Sequence, residues 1–167
     1  MNKLAVAFPA IVGAVVVVVL AKISFWNHTE SIPVGLYMKT LSPIEVGSTV
    51  SFPAPQKARE YALMRWGNGD AVQFIKALAA GPGDTVCVLA TNHGEWLLIN
   101  DKAVINVHPK DRNGNDLPHW LSNDCRKLDH DEWLPLGHHP DSFDGRYFGP
   151  IKQADMEGPY SGVLLFR

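Results

Sequence analysis

Asn27-His-Thr-Glu-Ser31-Ile-Pro33-Val-Gly35-Leu-Tyr37 follows directly on a long apolar run and places a serine among turn-forming residues. Pro33 fixes its own φ and pushes Ile32 towards extended geometry, while Gly35 allows a backbone turn that a larger residue would resist. Ser31 is thereby kept out of any helix. Taken alone, the stretch describes a polar juxtamembrane linker entering a first strand; the remainder of the chain makes Ser31 a candidate nucleophile.

Upstream, residues 4–26 carry one charge, Lys22, and include the run from Ala10 to Ala21, long enough for a transmembrane helix. Trp26 suits the membrane interface, and Pro9 and Gly13 are tolerated in membrane spans. A cleavable signal peptide is the competing reading, because Val19-Leu20-Ala21 ends on a small residue. The apolar run exceeds a usual signal core, and cleavage there would leave Ser31 close to a free terminus. An uncleaved anchor over 1–26 and a single domain over 27–167 are therefore expected. Lys3 and Lys22 balance each other, so charge alone does not orient the anchor.

The 167 residues carry a net charge of −2 with no run of like charges, which argues against nucleic acid as a partner. With 14 Gly and 12 Pro among short apolar runs, strands joined by turns are expected, giving a mainly β domain. Cys87 and Cys125 belong to no CxxC pair, which argues against a zinc ribbon or a thioredoxin-like motif. A single disulfide in an oxidising compartment and two unpaired thiols both remain open.

Strands are expected at 34–39 and 48–52, then a helix at 57–66 with Tyr61, Leu63 and Met64 towards a core, stopped by Gly67-Asn68-Gly69-Asp70. Residues 70–78 alternate as a strand, putting Lys76 on one face with Val72 and Phe74. Such a lysine can bury its stem and let its amine reach solvent. Full burial instead lowers its pKa and leaves a neutral amine able to take a serine proton. Ser31 and Lys76 thus form a candidate dyad.

Further strands are expected at 85–90, 95–99, 103–107 and 162–166, with a hairpin turn at Asn100-Asp101. Gly81-Pro-Gly-Asp84 is a turn and lacks the Gly-Lys-Ser/Thr of a phosphate loop. Residues 108–131 are polar and irregular. His108, His119, His130, His138 and His139 have poor ligand spacing, and Asp111-Arg-Asn113-Gly-Asn115 misplaces its glycine for a calcium loop, so neither a metal nor a cofactor is expected. In Pro140-Asp-Ser142-Phe-Asp144-Gly-Arg146-Tyr-Phe-Gly-Pro150, Asp144 and Arg146 are close enough to pair; locally this reads as a surface turn with an exposed ion pair.

Three separated stretches resemble the boxes of the signal peptidase I superfamily of serine-lysine peptidases, in the form of the TraF-like peptidases of conjugative transfer. Ser31-Ile-Pro33-Val-Gly35-Leu-Tyr37 is similar to the nucleophile box, Lys76 with Gly81-Pro-Gly-Asp84 to the lysine box, and Ser142-Phe-Asp144-Gly-Arg146-Tyr-Phe-Gly149 to the last box. The resemblance implies a signal-peptidase-like β-sheet domain in which Ser31 attacks the scissile carbonyl and Lys76 is the general base. It further implies that Thr29 helps stabilise the oxyanion, that Ser142 orients the lysine amine, and that Asp144 and Arg146 support the last box.

Two departures stand out. Gly145 occupies a position that is commonly serine, and Ala80-Gly81 replaces the usual Gly-Leu. The segment 91–136 carries no box, and no large extra domain fits in the chain. The resemblance implies a periplasmic catalytic domain on the bacterial inner membrane, cutting a pre-protein, a pilin precursor, after small residues; its partners would be that substrate, the lipid bilayer and other conjugative transfer proteins. Two rivals are a general signal peptidase I and, from another class, a non-catalytic membrane-tethered β domain that helps assemble an envelope complex.

Overall fold

In the computed structural model, which describes residues 3–67 and 72–166, a helix α1 (Lys3–Ile23) runs straight into a short strand β1 (Ser24–Asn27). There follow β2 (Val34–Lys39), β3 (Thr49–Pro53), α2 (Gln56–Trp66), β4 (Gln73–Ala80), β5 (Thr85–Thr91), β6 (Gly94–Ile99), β7 (Lys102–Val107), β8 (Asp124–Lys127), β9 (Glu132–Leu136), α3 (Gly145–Phe148), β10 (Ile151–Lys152) and β11 (Glu157–Phe166). The fold is mainly β, as expected. Among the described residues no helix is long and apolar enough to cross a membrane, so the structure does not carry the transmembrane reading of 1–26.

The strands form a seven-stranded sheet in the order β1-β2-β11-β3-β4-β9-β10 and a four-stranded sheet in the order β7-β6-β5-β8. Alternation along β4 sorts its side chains. Phe74 and Leu78 enter the main core with Val50, Phe52, Leu134 and Phe148, whereas Ile75 joins a smaller cluster of Ile32, Tyr37 and Tyr160 on the other face. Lys76 lies with Phe74, as its parity predicts, and its Nζ stands 5.6 Å from the centre of that ring.

Local chemistry accounts for the expected turns. Asn100 (φ 48°) and Asp101 (φ 64°) close the β6–β7 hairpin with two left-handed residues, which asparagine and aspartate tolerate better than most. Gly67, at φ 71°, ends α2 and donates to Leu63 O; the remaining stop residues, Asn68-Gly69-Asp70, lie outside the described residues, as does the start expected for the strand at 70. Leu63 and Met64 are exposed, contrary to expectation, because the buried stripe of α2 runs through Ala58, Tyr61 and Ala62 at helical i, i+3, i+4 spacing.

The irregular reading of 108–131 also needs correction. It contains β8, whose Cys125 lies directly opposite Cys87 on β5, and the two are joined in a disulfide. The long loop before β8 is held down by Asp111. Its carboxylate accepts from the backbone amides of Asn113 and Asn115, the Asn115 side chain and the Tyr61 hydroxyl, tying the loop to α2.

Both departures from the box pattern have packing causes. A Cβ on Gly81 would stand 2.8 Å from the Trp133 ring, and one on Gly145 would meet Pro135 O at 2.6 Å and Leu134 Cδ1 at 2.9 Å. A leucine at the first position or a serine at the second would collide with β9.

Candidate active site

The segment between β1 and β2 forms a closed loop. Asn27 pairs with Gly35 across its base, Tyr37 donates its hydroxyl to Pro33 O at 2.7 Å, and the backbone of His138 donates to Ser31 O at 2.6 Å. Gly35 (φ 146°) admits no side chain, because a Cβ would run into the Leu164 carbonyl of β11. The loop is thus pinned on three sides, with Ser31 buried within it.

Across the cleft, Lys76 Nζ donates to Ser31 Oγ at 2.6 Å, and the lysine is only 4% exposed. Thr29 Oγ1 lies 3.0 Å from Ser31 Oγ on the other side. The cleft around them has a volume of about 460 Å³ and is lined by Asn27, Thr29, Phe74, Ile75, Ser142 and Phe143 among others. The two residues of the candidate dyad, 45 positions apart in sequence, are therefore brought into direct contact.

Burial lowers the Lys76 pKa to about 8; the negative charge of Asp144 opposes that shift in part, and Arg146 adds to it. The fold thus disfavours the ammonium. As pH falls through the unfolded value the denatured chain takes up a proton that the native one refuses, and the resulting destabilisation levels off below the folded value. Lys76→Met is expected to stabilise the protein at neutral pH by up to about 3 kcal/mol, given about 1.36 kcal/mol per pKa unit, with the gain vanishing above roughly pH 10.4. Melting temperatures of both proteins across that range check this; a gain independent of pH would mean that packing is responsible.

The last box is interior, not the surface turn that its local sequence suggested. Asp144 and Arg146 are fully buried. Asp144 Oδ1 accepts from Arg146 Nε at 2.8 Å, and Oδ2 accepts from Arg146 Nη2 at 2.9 Å and from the Gly137 amide at 2.8 Å. Arg146 also donates to the carbonyls of Asn106, His139, Pro140 and Ser142, so the turn is wound around one guanidinium. Ser142 Oγ is buried and has no hydrogen-bond partner among the described residues. A Cβ on Gly137 would collide with it, so glycine there leaves room for the Ser142 side chain.

The histidines do not converge. Among the described residues no group of three or more His, Cys, Asp or Glu side chains could hold a metal ion. His119 instead pairs with Glu95 at 3.6 Å and His139 with Asp141 at 3.8 Å. Sequence reasoning passed over Asn27 and Gly137: the first looked like linker polarity, and the second belongs to no box. An asparagine four residues before a serine, ahead of Pro33 and Gly35, was the signal available for Asn27.

Comparison with known proteins identifies the family. The model of the signal peptidase, peptidase S26 family matches residues 2–165. A plasmid transfer protein TraF from Escherichia coli is 36% identical over 142 residues, covering 78% of this chain and 76% of that protein. A second Escherichia coli plasmid transfer protein TraF is 32% identical over 150 residues, covering 84% of this chain and 82% of its own. A crystal structure of a signal peptidase I from Enterococcus faecalis V583 aligns over 72% of this chain and 98% of that one, at 24% identity and a TM-score of 0.42. The family match runs through all three boxes and nearly the full chain, and on that ground this protein belongs to the signal peptidase S26 family and is a serine endopeptidase of the signal peptidase type.

Proposed function

We propose that the chain is a membrane-anchored peptidase that cuts a membrane-associated pre-protein, a conjugative pilin precursor, with Ser31 as nucleophile and Lys76 as general base. The observation that carries this reading is the 2.6 Å contact between Lys76 Nζ and Ser31 Oγ inside the cleft. As Ser31 Oγ bonds to the scissile carbonyl carbon, its proton passes to the neutral amine; the resulting ammonium then protonates the leaving amine. Water attacks the acyl ester next, giving a proton to the same lysine, which passes it on to Ser31 Oγ as the ester bond breaks and the acid product leaves. The Ser31 backbone amide and the Thr29 hydroxyl receive the oxyanion, and Ser142 is assigned to orienting the amine.

The sheet offers a place for the substrate. On one side β4 pairs with β3 from Gln73 to Ala77, whereas its ladder with β9 begins only at Ala77↔Leu136. Among the described residues, Gln73, Phe74, Ile75 and Lys76 therefore have strand pairing on one side only. An extended precursor segment laid along that edge would satisfy the open backbone groups and bring its peptide bond to Ser31.

Several features favour an anchor over 1–26; placing the domain 27–167 on the periplasmic face follows from the family resemblance alone. The run from Ala10 to Ala21 is uncharged and apolar, the sequence feature on which the anchor reading rests. No linker separates α1 from β1, and Ser31 stands eight residues beyond the helix end at Ile23. Trp26 is exposed and lies 5.9 Å from the Phe166 ring, and Val163, Leu164 and Leu165 beside Phe166 are exposed too, an apolar edge suited to a membrane surface. The curated relatives are plasmid transfer proteins, which favours a precursor from a conjugation system and contacts with other transfer proteins over a general secretory substrate.

The test is incubation of the full chain, reconstituted in lipid vesicles, with candidate pilin precursors. One new terminus after a small residue is expected, with the first 26 residues still present by mass spectrometry of the extracted enzyme. A mature N-terminus at Lys22 would show that the apolar run is a signal peptide, and cleavage of general secretory precursors alone would favour the housekeeping enzyme.

A further inference from the structure

Asn27 is 2% exposed and its side chain uses both ends. Nδ2 donates to the carbonyls of Thr29 at 2.8 Å, Ile32 at 3.1 Å and Pro33 at 3.1 Å, while Oδ1 accepts from the Thr29 amide at 3.1 Å and from Thr29 Oγ1 at 3.0 Å. These partners fix the amide's orientation. Turned over, the amide would face its nitrogen towards an N–H and its oxygen towards three carbonyls.

A hydroxyl carries one proton. While Thr29 gives its proton to Asn27 Oδ1, the 3.0 Å contact between Thr29 Oγ1 and Ser31 Oγ has to use the Ser31 proton. With Lys76 charged, donation then runs one way, from Lys76 to Ser31, to Thr29, and ends on Asn27 Oδ1, an oxygen that cannot donate. Once Lys76 has lost its extra proton to solvent and, as the neutral amine, has taken the proton of Ser31, an oxyanion forms and Thr29 can turn its own proton to the new charge, provided that Asn27 holds the threonine in place without binding that proton too tightly.

We infer that Asn27 is a positioning residue for catalysis: by closing the nucleophile loop it sets the Thr29 hydroxyl that serves the oxyanion. This rests on the serine-lysine reading above. An aspartate at the same position would keep the acceptor but hold the threonine proton more strongly through its charge, and would lose the donors that close the loop.

The test measures kcat and KM on a precursor peptide that the wild type cuts at one site, using the full chain in detergent micelles. Thr29→Val is expected to lower kcat about 10²-fold, as for a lost oxyanion donor. Asn27→Ala should lower kcat by a similar factor and leave KM within about threefold; added to Thr29→Val, it should cost less than about threefold more, because both changes remove one function. Should Asn27→Ala not fold, Asn27→Asp serves the same cycle, with at least about a 10-fold loss of kcat beside threonine and less than about threefold beside valine. Losses that multiply, or a change confined to KM, would overturn the assignment of Asn27. Ser31→Ala separates the two levels: if it cleaves normally the dyad reading itself falls, whereas an inactive Ser31→Ala with multiplying Asn27 and Thr29 losses removes only this inference.

Discussion

Ser31→Ala and Lys76→Ala are each expected to lower single-turnover cleavage by about 10⁴-fold or more, and the double variant to lose no more than the worse single one. On the proposed mechanism nucleophile and base act as one unit, so removing either ends the same step. The far-ultraviolet circular dichroism of all three should match the wild type, because neither side chain forms the core: Ser31 sits in a loop, and Lys76 makes its polar contact with Ser31 itself. Substantial single-site cleavage by either variant removes it from the dyad.

The second large effect is on stability. Arg146→Ala leaves the Asp144 carboxylate buried without its cation and strips hydrogen bonds from four carbonyls that the guanidinium now serves. A loss of about 3–5 kcal/mol is expected for breaking such a pair from one side. Arg146→Lys should recover little, because a single ammonium cannot reproduce the fork that spans Asp144 and the surrounding turn. Denaturant melts measure both. An unchanged midpoint for Arg146→Ala would mean that the turn keeps its shape without the guanidinium, and Ser142 would then be held by other contacts.

Much of the candidate site's geometry was legible in the sequence because its residues fall in short local patterns. Ser31 stood among residues that forbid a helix, and the parity of β4 put Lys76 on the same face as Phe74 before any contact was known. What stayed hidden depends on contacts distant in sequence. The burial of Asp144 and Arg146 comes from β9 and from the Asn106 carbonyl, neither of which a Gly- and Pro-rich turn discloses. Cys87 and Cys125 could be paired only once β8 was recognised, and a four-residue strand of charged and polar residues, Asp-Cys-Arg-Lys, gives no alternation to find. Similarly, β9 contains Pro135, which argues against a central strand, yet it pairs with both β4 and β10. Leu63 and Met64 misled by being apolar on a helix whose buried side is made of two alanines and a tyrosine.

On the proposed mechanism, the geometry that joins Ser31 to Lys76 also determines how the reaction responds to pH. Only the neutral amine can accept the serine proton, and burial has already brought the Lys76 pKa down to about 8. The measurement is the single-turnover cleavage rate between mildly acidic and alkaline pH, on a substrate for which chemistry limits the rate. The rate should rise about tenfold per pH unit on the acid side and level off above an apparent pKa well below the ordinary lysine value of roughly 10.4. A rate that stays flat across the whole range would rule out a neutral lysine as the base.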